Sequence, residues 1–111
     1  MRRGDLGEFE EVVLLAVAGL LPNAYSVSVA ELLEVETGRT VSTGAVHAAL
    51  QRLEQKRYVS SSLGEATPER GGRRKRLFTV TALGGRVIQE VRSVRNRLWE
   101  RVVPETILKL S

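Results

Sequence analysis

"VSTGAVHAALQRLEQKRYV", residues 41 to 59, decides how the rest of the chain is read. Ser42 suits the N-cap of a helix, because its hydroxyl can accept a hydrogen bond from an N–H that the first turn leaves unpartnered. Val41 can pack on Val46 as a hydrophobic staple, fixing the angle at which the helix starts. Val46, Leu50 and Leu53 follow at spacings of four and three, so they share one apolar face. The other face carries Gly44, Ala48, Gln51 and Gln55, flanked by Thr43, His47 and Arg52. Small and hydrogen-bonding residues therefore line the side that does not enter a core.

On the C-terminal side, "YVSSSLG" (58–64) and "RLFTVT" (76–81) are short β-prone runs separated by Gly, Pro, Thr and charge, the pattern of a hairpin with a long loop. Its far end is "ERGGRRKR", residues 69 to 76, with five cations and one anion. This window carries +4, the formal net charge of the whole chain. Clustered cations raise the local potential and attract polyanions.

On the N-terminal side, "EFEEVVLLAVAGLL" (8–21) starts with three acids that suit the positive end of a helix dipole and continues apolar on nearly every face. It reads as a central helix covered on several sides and ended by Pro22 and Asn23. Met1-Arg2-Arg3 before an apolar run imitates a signal peptide, but Asp5, Glu8, Glu10 and Glu11 intervene and the run is too short to span a bilayer. "YSVSVAELLEVETG" (25–38) offers a capping box of Ser28 with Glu31, then a second helix stopped by Gly38.

Thr81 caps a last helix expected from residue 82 to about 103, before Pro104. Within it Val87, Val91, Val94, Leu98 and Val102 recur at spacings of four, three, four and four, close to the repeat of a helix seam. Ile88, Trp99 and Val103 widen the stripe. A stripe this long exceeds what a three-helix core can cover, so a second copy of the chain is the expected partner.

At 111 residues, 42% apolar and 27% charged, the chain fits a single globular unit. It has no cysteine, so disulfides, thiolate nucleophiles and cysteine-based zinc sites are excluded. The single histidine, His47, has no carboxylate or second histidine at a useful spacing, which argues against catalysis or metal binding and for a polar surface contact. No enzyme, cofactor or metal is expected.

Three helices, a hairpin with a basic tip and a long final helix form the order of a winged helix-turn-helix domain. The chain resembles the PadR family of bacterial transcriptional regulators over nearly its full length. The likeness is carried by "LGEFEEVVLLAVAGL", "VSTGAVHAALQRLEQKRYV", "GEATPERGGRRKRLFTVTALG" and the helix that follows. The resemblance implies a mainly α fold with a small β-hairpin, in which residues 1–81 form the DNA-binding domain and residues 82–111 a C-terminal dimerisation helix of the same compact unit. It further implies a cytoplasmic homodimer that binds operator DNA, usually as a repressor, with the third helix in the major groove and the wing over the backbone or minor groove. Some relatives release DNA on binding a small phenolic or multidrug-like molecule. The pattern departs at position 47, where Tyr is usual and His47 stands, and at the end of the third helix, where the expected glycine is Arg57. A Tyr pair frequent after the wing is replaced by Leu77 and Phe78.

Base reading on this view falls to Thr43, His47, Gln51 and Arg52, since Gln can pair with adenine and Arg with guanine. Phosphates fall to Ser42 at the helix N-terminus and to Arg70, Gly72, Arg73, Arg74 and Lys75 in the wing, where Gly71 and Gly72 let the backbone come close. The dimer interface falls to Val87, Val91, Val94, Leu98, Trp99 and Val102, with Trp99 also the candidate contact for a small apolar or phenolic effector. The rival reading is a winged helix that contacts protein or RNA without reading an operator.

Overall fold

Apolar residues at helical spacing build three helices, and two runs with β propensity then close a hairpin against them. The computed structural model describes residues 6–66 and 74–110. They run α1 (Glu8–Leu20), α2 (Ser26–Thr37), α3 (Thr43–Gln55), β1 (Val59–Ala66), β2 (Arg74–Val80), α4 (Ala82–Glu100) and α5 (Pro104–Leu110). The core is formed where the inner faces of α1, α2 and α3 meet Tyr58, Val59 and Phe78 of the hairpin and Val87 and Val91 of α4. Among the described residues no helix is long and apolar enough to cross a membrane.

The helix ends show why these boundaries arise. Ser42 Oγ accepts from the Ala45 N–H at 3.1 Å, and Thr81 Oγ1 accepts from the Gly84 N–H at 3.0 Å, so both expected caps form. Gly38 ends α2 in the left-handed region at φ 70°, its N–H donating to the Glu34 carbonyl. The start of α2 is a correction: Ser28 is not the cap. Tyr25 holds that position, and Ser28 Oγ, one turn in, accepts from the Tyr25 N–H at 2.9 Å while donating to the Asn23 carbonyl at 2.8 Å. Turning back onto the preceding chain lets the helix begin at Ser26.

α3 ends in a Schellman turn, with Tyr58 N–H donating to the Leu53 carbonyl at 2.9 Å and Arg57 N–H to the Glu54 carbonyl at 3.0 Å. This geometry places Arg57 at φ 65°, where a side chain costs about 1–2 kcal/mol that glycine avoids. Arg57 is exposed. Arg57→Gly should therefore stabilise the fold by about 0.5–1 kcal/mol after glycine's own entropy cost, raising Tm by about 2–5 °C. A thermal melt with lowered Tm would show that the side chain contributes more than its backbone costs.

The strands pair antiparallel from Val59↔Val80 to Leu63↔Arg76, then slip before Ala66↔Arg74. The other edge of β2 is covered as well, because Phe78 N–H donates to the Ala24 carbonyl at 2.8 Å. The hairpin is thereby stitched to the connection between α1 and α2.

The base of the hairpin, the end of α3 and the start of α4 meet at one junction. Thr81 N–H donates to the Tyr58 carbonyl at 3.0 Å, and Thr81 Oγ1 donates to the Arg57 carbonyl at 2.7 Å. A Cβ on Gly84 would overlap the Tyr58 carbonyl oxygen and lie 3.1 Å from Val80 Cγ1. α4 can start here only because position 84 has no side chain.

Two expectations for the C-terminal region change. The last helix stops at Glu100, because the N–H groups of Arg101 and Val102 turn back to the Leu98 and Trp99 carbonyls at 3.1 and 2.9 Å. Pro104 then opens α5 instead of closing α4, as proline can at a first helical position, where no N–H is needed. α1 is also less enclosed than its composition suggests. Val13, Leu14, Ala16 and Val17 are buried, but Val12, Leu15, Ala18 and Gly19 form an open apolar face. The Cα radius of gyration is 16.3 Å, against about 13 Å for a compact chain of this size, since the far half of α4 and α5 extend beyond the core.

Candidate nucleic-acid interface

α3 is placed by its buried side. Val46, Ala49, Leu50 and Leu53 are buried, which turns Thr43, His47, Gln51 and Arg52 outward, all of them exposed. Thr43, His47 and Gln51 follow at steps of four and so form one ridge along the helix. The start of this ridge is held twice. Glu34 Oε2 accepts from the Val41 N–H at 2.8 Å, tying the last turn of α2 to the approach to α3, and Ser42 caps the first turn. Ser42 is exposed, with its oxygen engaged in that cap. The His47 side chain makes no hydrogen bond or ion pair among the described residues.

Arg52 differs from the others on this face. Its Nε donates to Glu10 Oε2 at 2.7 Å, and Lys56 Nζ donates to Glu10 Oε1 at 2.6 Å. Glu10, on α1, is the one buried charged residue among those described. Burial disfavours its ionised form, but the hydrogen bonds from Lys56 and Arg52 and from the Gly7 N–H outweigh burial and hold the carboxyl below its ordinary value. The acid is ionised at neutral pH and bridges α1 to α3. Sequence reading accounts for Glu10 only as a helix-dipole acid; its partners lie 42 and 46 residues away, and no local pattern announces them.

In the wing, Arg70, Gly71, Gly72 and Arg73 lie outside the described residues. Arg74 and Lys75 lie within them, pointing to opposite sides of β2 by strand alternation. Arg74 Nε donates to the Gly64 carbonyl at 2.7 Å, and Lys75 Nζ sits 4.2 Å from the centre of the Tyr25 ring. A carbonyl and an aromatic ring carry no counter-charge, so among the described residues neither cation is paired with an acid. Tyr25 is a residue that sequence reading left without a role in the wing. Arg76 Nη1 donates to Ser61 Oγ at 3.1 Å, and Ser61 Oγ donates to Glu54 Oε2 at 2.6 Å, which binds the root of the hairpin to α3. Phe78 is buried and Leu77 half-buried.

The expected dimer seam divides in two. Val87 and Val91 are 4% exposed and belong to the chain's own core, because the first half of α4 lies against α1 and the hairpin. They are not available to a partner. Val94 is half-buried, while Leu98, Trp99 and Val102 are 60%, 65% and 37% exposed. Trp99 and Val102, with Pro104, Ile107 and Leu108, frame a hollow of about 460 Å³ where α4 meets α5. Glu11 and Arg95 pair through two hydrogen bonds of 2.8 and 3.0 Å, joining α1 to α4. Among the described residues no three His, Cys, Asp or Glu side chains cluster as metal ligands would.

The family profile for PadR-like transcriptional regulators matches residues 14–90. No curated protein sequence matches the chain. Among solved structures, a PadR-like transcription factor from Bacteroides fragilis is 22% identical, with 100% of this chain and 94% of that one covered and a TM-score of 0.68. A PadR-like regulator from Bacillus cereus is 16% identical, with 92% and 89% covered and a TM-score of 0.68. A PadR family regulator from Eggerthella lenta is 21% identical, with 84% and 80% covered and a TM-score of 0.65.

Proposed function

The chain belongs to the PadR-like family of transcriptional regulators, DNA-binding proteins and not enzymes, and from this premise we propose that it acts as a dimeric repressor that reads an operator with α3 and grips phosphates with its wing. The observation that carries this reading is the ridge of Thr43, His47 and Gln51, exposed on a helix whose start is fixed by Ser42 and Glu34. Uncancelled cations at Arg74 and Lys75 stand in the adjoining strand. Side chains on the ridge supply base contacts, and the cations supply affinity that does not depend on sequence. In the dimer, Val94, Leu98, Trp99 and Val102 of the two copies meet along α4.

Selection of bound duplexes from random DNA tests the proposal. A dimer with two reading helices should return inverted half-sites about 34 Å apart, one helical turn. A pool without a palindrome would favour the winged helix as a protein- or RNA-binding module. The hollow around Trp99 is our site for a small apolar or phenolic effector. Such a ligand should change the tryptophan fluorescence and weaken DNA binding together; a panel of phenolics and cationic drugs that changes neither would remove the effector from the scheme.

A further inference from the structure

We infer that Glu10, a buried acid on α1, is a positioning residue for DNA reading, aiming the Arg52 guanidinium of α3 at a guanine in each half-site. The inference rests on the operator-reading function proposed above and adds a residue to it from outside the reading helix.

A guanidinium carries five N–H donors on three nitrogens, so what matters is which edge the protein uses and which it leaves. Glu10 takes the inner edge, with Nε donating to Oε2 at 2.7 Å. The two terminal nitrogens of Arg52 make no hydrogen bond among the described residues, and the side chain is 49% exposed. The two terminal nitrogens therefore keep their donors for a partner outside the chain. Two terminal nitrogens presented end-on can donate together to O6 and N7 of guanine, the pairing that most often specifies that base.

The carboxylate is suited to hold this group beside DNA. Its second oxygen accepts from Lys56 Nζ at 2.6 Å, so one negative charge lies between two cations and the carboxylate is held from both sides. Glu10 is itself fixed, since its side chain is only 9% exposed and Oε1 also accepts from the Gly7 N–H at 3.3 Å. A long Arg side chain held at Nε gives up rotamer freedom in the free protein, before DNA arrives, so less has to be given up on binding. Arg52 lies next to Gln51, at the flank of the reading ridge that faces α1, and its guanine should therefore adjoin the positions read by Gln51.

The experiment is selection of bound duplexes with the unmodified protein and five variants: Arg52→Gln, Arg52→Lys, Glu10→Gln, Glu10→Asp and the double variant Glu10→Gln/Arg52→Gln. The unmodified protein should select a half-site with one position fixed as guanine. Arg52→Gln and Arg52→Lys should both relax that position, by about 5- to 100-fold in relative affinity, the lysine variant because it keeps the charge but loses the fork. Glu10→Gln should relax the same position and leave the others unchanged, and the double variant with Arg52→Gln should be no worse than either single one. Glu10→Asp retains the charge and draws the carboxylate back by one methylene, so it should relax that position in a protein of near-normal stability, even if Glu10→Gln folds poorly. Unchanged guanine preference in the Arg52 variants would overturn the inference. So would guanine preference kept in both Glu10 variants, or lost equally at every position of the site. Failure of the unmodified protein to prefer any duplex would overturn the operator-reading function itself, and this inference with it.

Discussion

Raising salt from 50 to 200 mM should weaken operator binding by about 10³- to 10⁵-fold, the loss that accompanies about 6–10 neutralised phosphates. Each phosphate met by Lys or Arg releases condensed counterions, and the gain from that release shrinks as bulk salt rises. Replacing Arg73, Arg74 and Lys75 together with Gln should weaken binding to all duplexes alike and flatten the dependence of log affinity on log salt. The structure adds a reason to target Arg74 and Lys75. Arg74 leans on a carbonyl and Lys75 on an aromatic ring, which hold a cation without neutralising it. Arg95, in contrast, is matched by Glu11, and its replacement should leave the slope unchanged. A triple variant with the slope of the unmodified protein would take the wing out of the mechanism.

Gly84→Ala should be the most damaging glycine-to-alanine change among the described residues. Overpacking costs about 1–3 kcal/mol where side chains can yield; here the obstacle is the Tyr58 backbone carbonyl, so a loss of about 3 kcal/mol or more is expected. Against a total stability of about 5–15 kcal/mol, that should lower Tm by roughly 10 °C or more. The neighbouring position gives the opposite expectation. A Cβ on Gly85 meets nothing within 4 Å, and alanine is favoured over glycine inside a helix by up to about 1 kcal/mol, so Gly85→Ala should raise Tm. Thermal melts of the two variants that moved in the same direction would contradict the junction described for α3, the hairpin and α4.

The contrast between these glycines indicates what the sequence can disclose. The caps at Ser42 and Thr81 and the stop at Gly38 are legible because each depends on residues within one turn. The hairpin and the order of elements follow from changes in periodicity, and the exposed ridge of α3 follows from its buried stripe. Ser28 is misplaced because a hydroxyl can serve a helix start from the N-cap or, as here, from one turn in, where Ser28 bonds back to the Tyr25 N–H and the Asn23 carbonyl. Val87 and Val91 are read as seam because a repeat near 3.5 shows that a face is covered, not which body covers it. Glu10 and Arg52 meet between α1 and α3, 42 residues apart, Lys75 meets Tyr25 across 50 residues of chain, and neither pairing leaves a mark in local spacing.

The shared junction makes α4 a lever with a short arm and a long one. Arg57, Tyr58, Thr81 and Gly84 bolt the base of α4 to the end of α3, and the 19 residues of α4 reach about 28 Å from that point. A rotation of only 5° about the bolt displaces the far tip by about 2–3 Å, near Trp99 and α5, while the reading helix turns by the same angle. For two copies joined through α4, the angle between the levers sets the separation and relative tilt of the two reading helices. In the proposed dimer, register with the pitch of the double helix would then be set by how the two α4 helices cross.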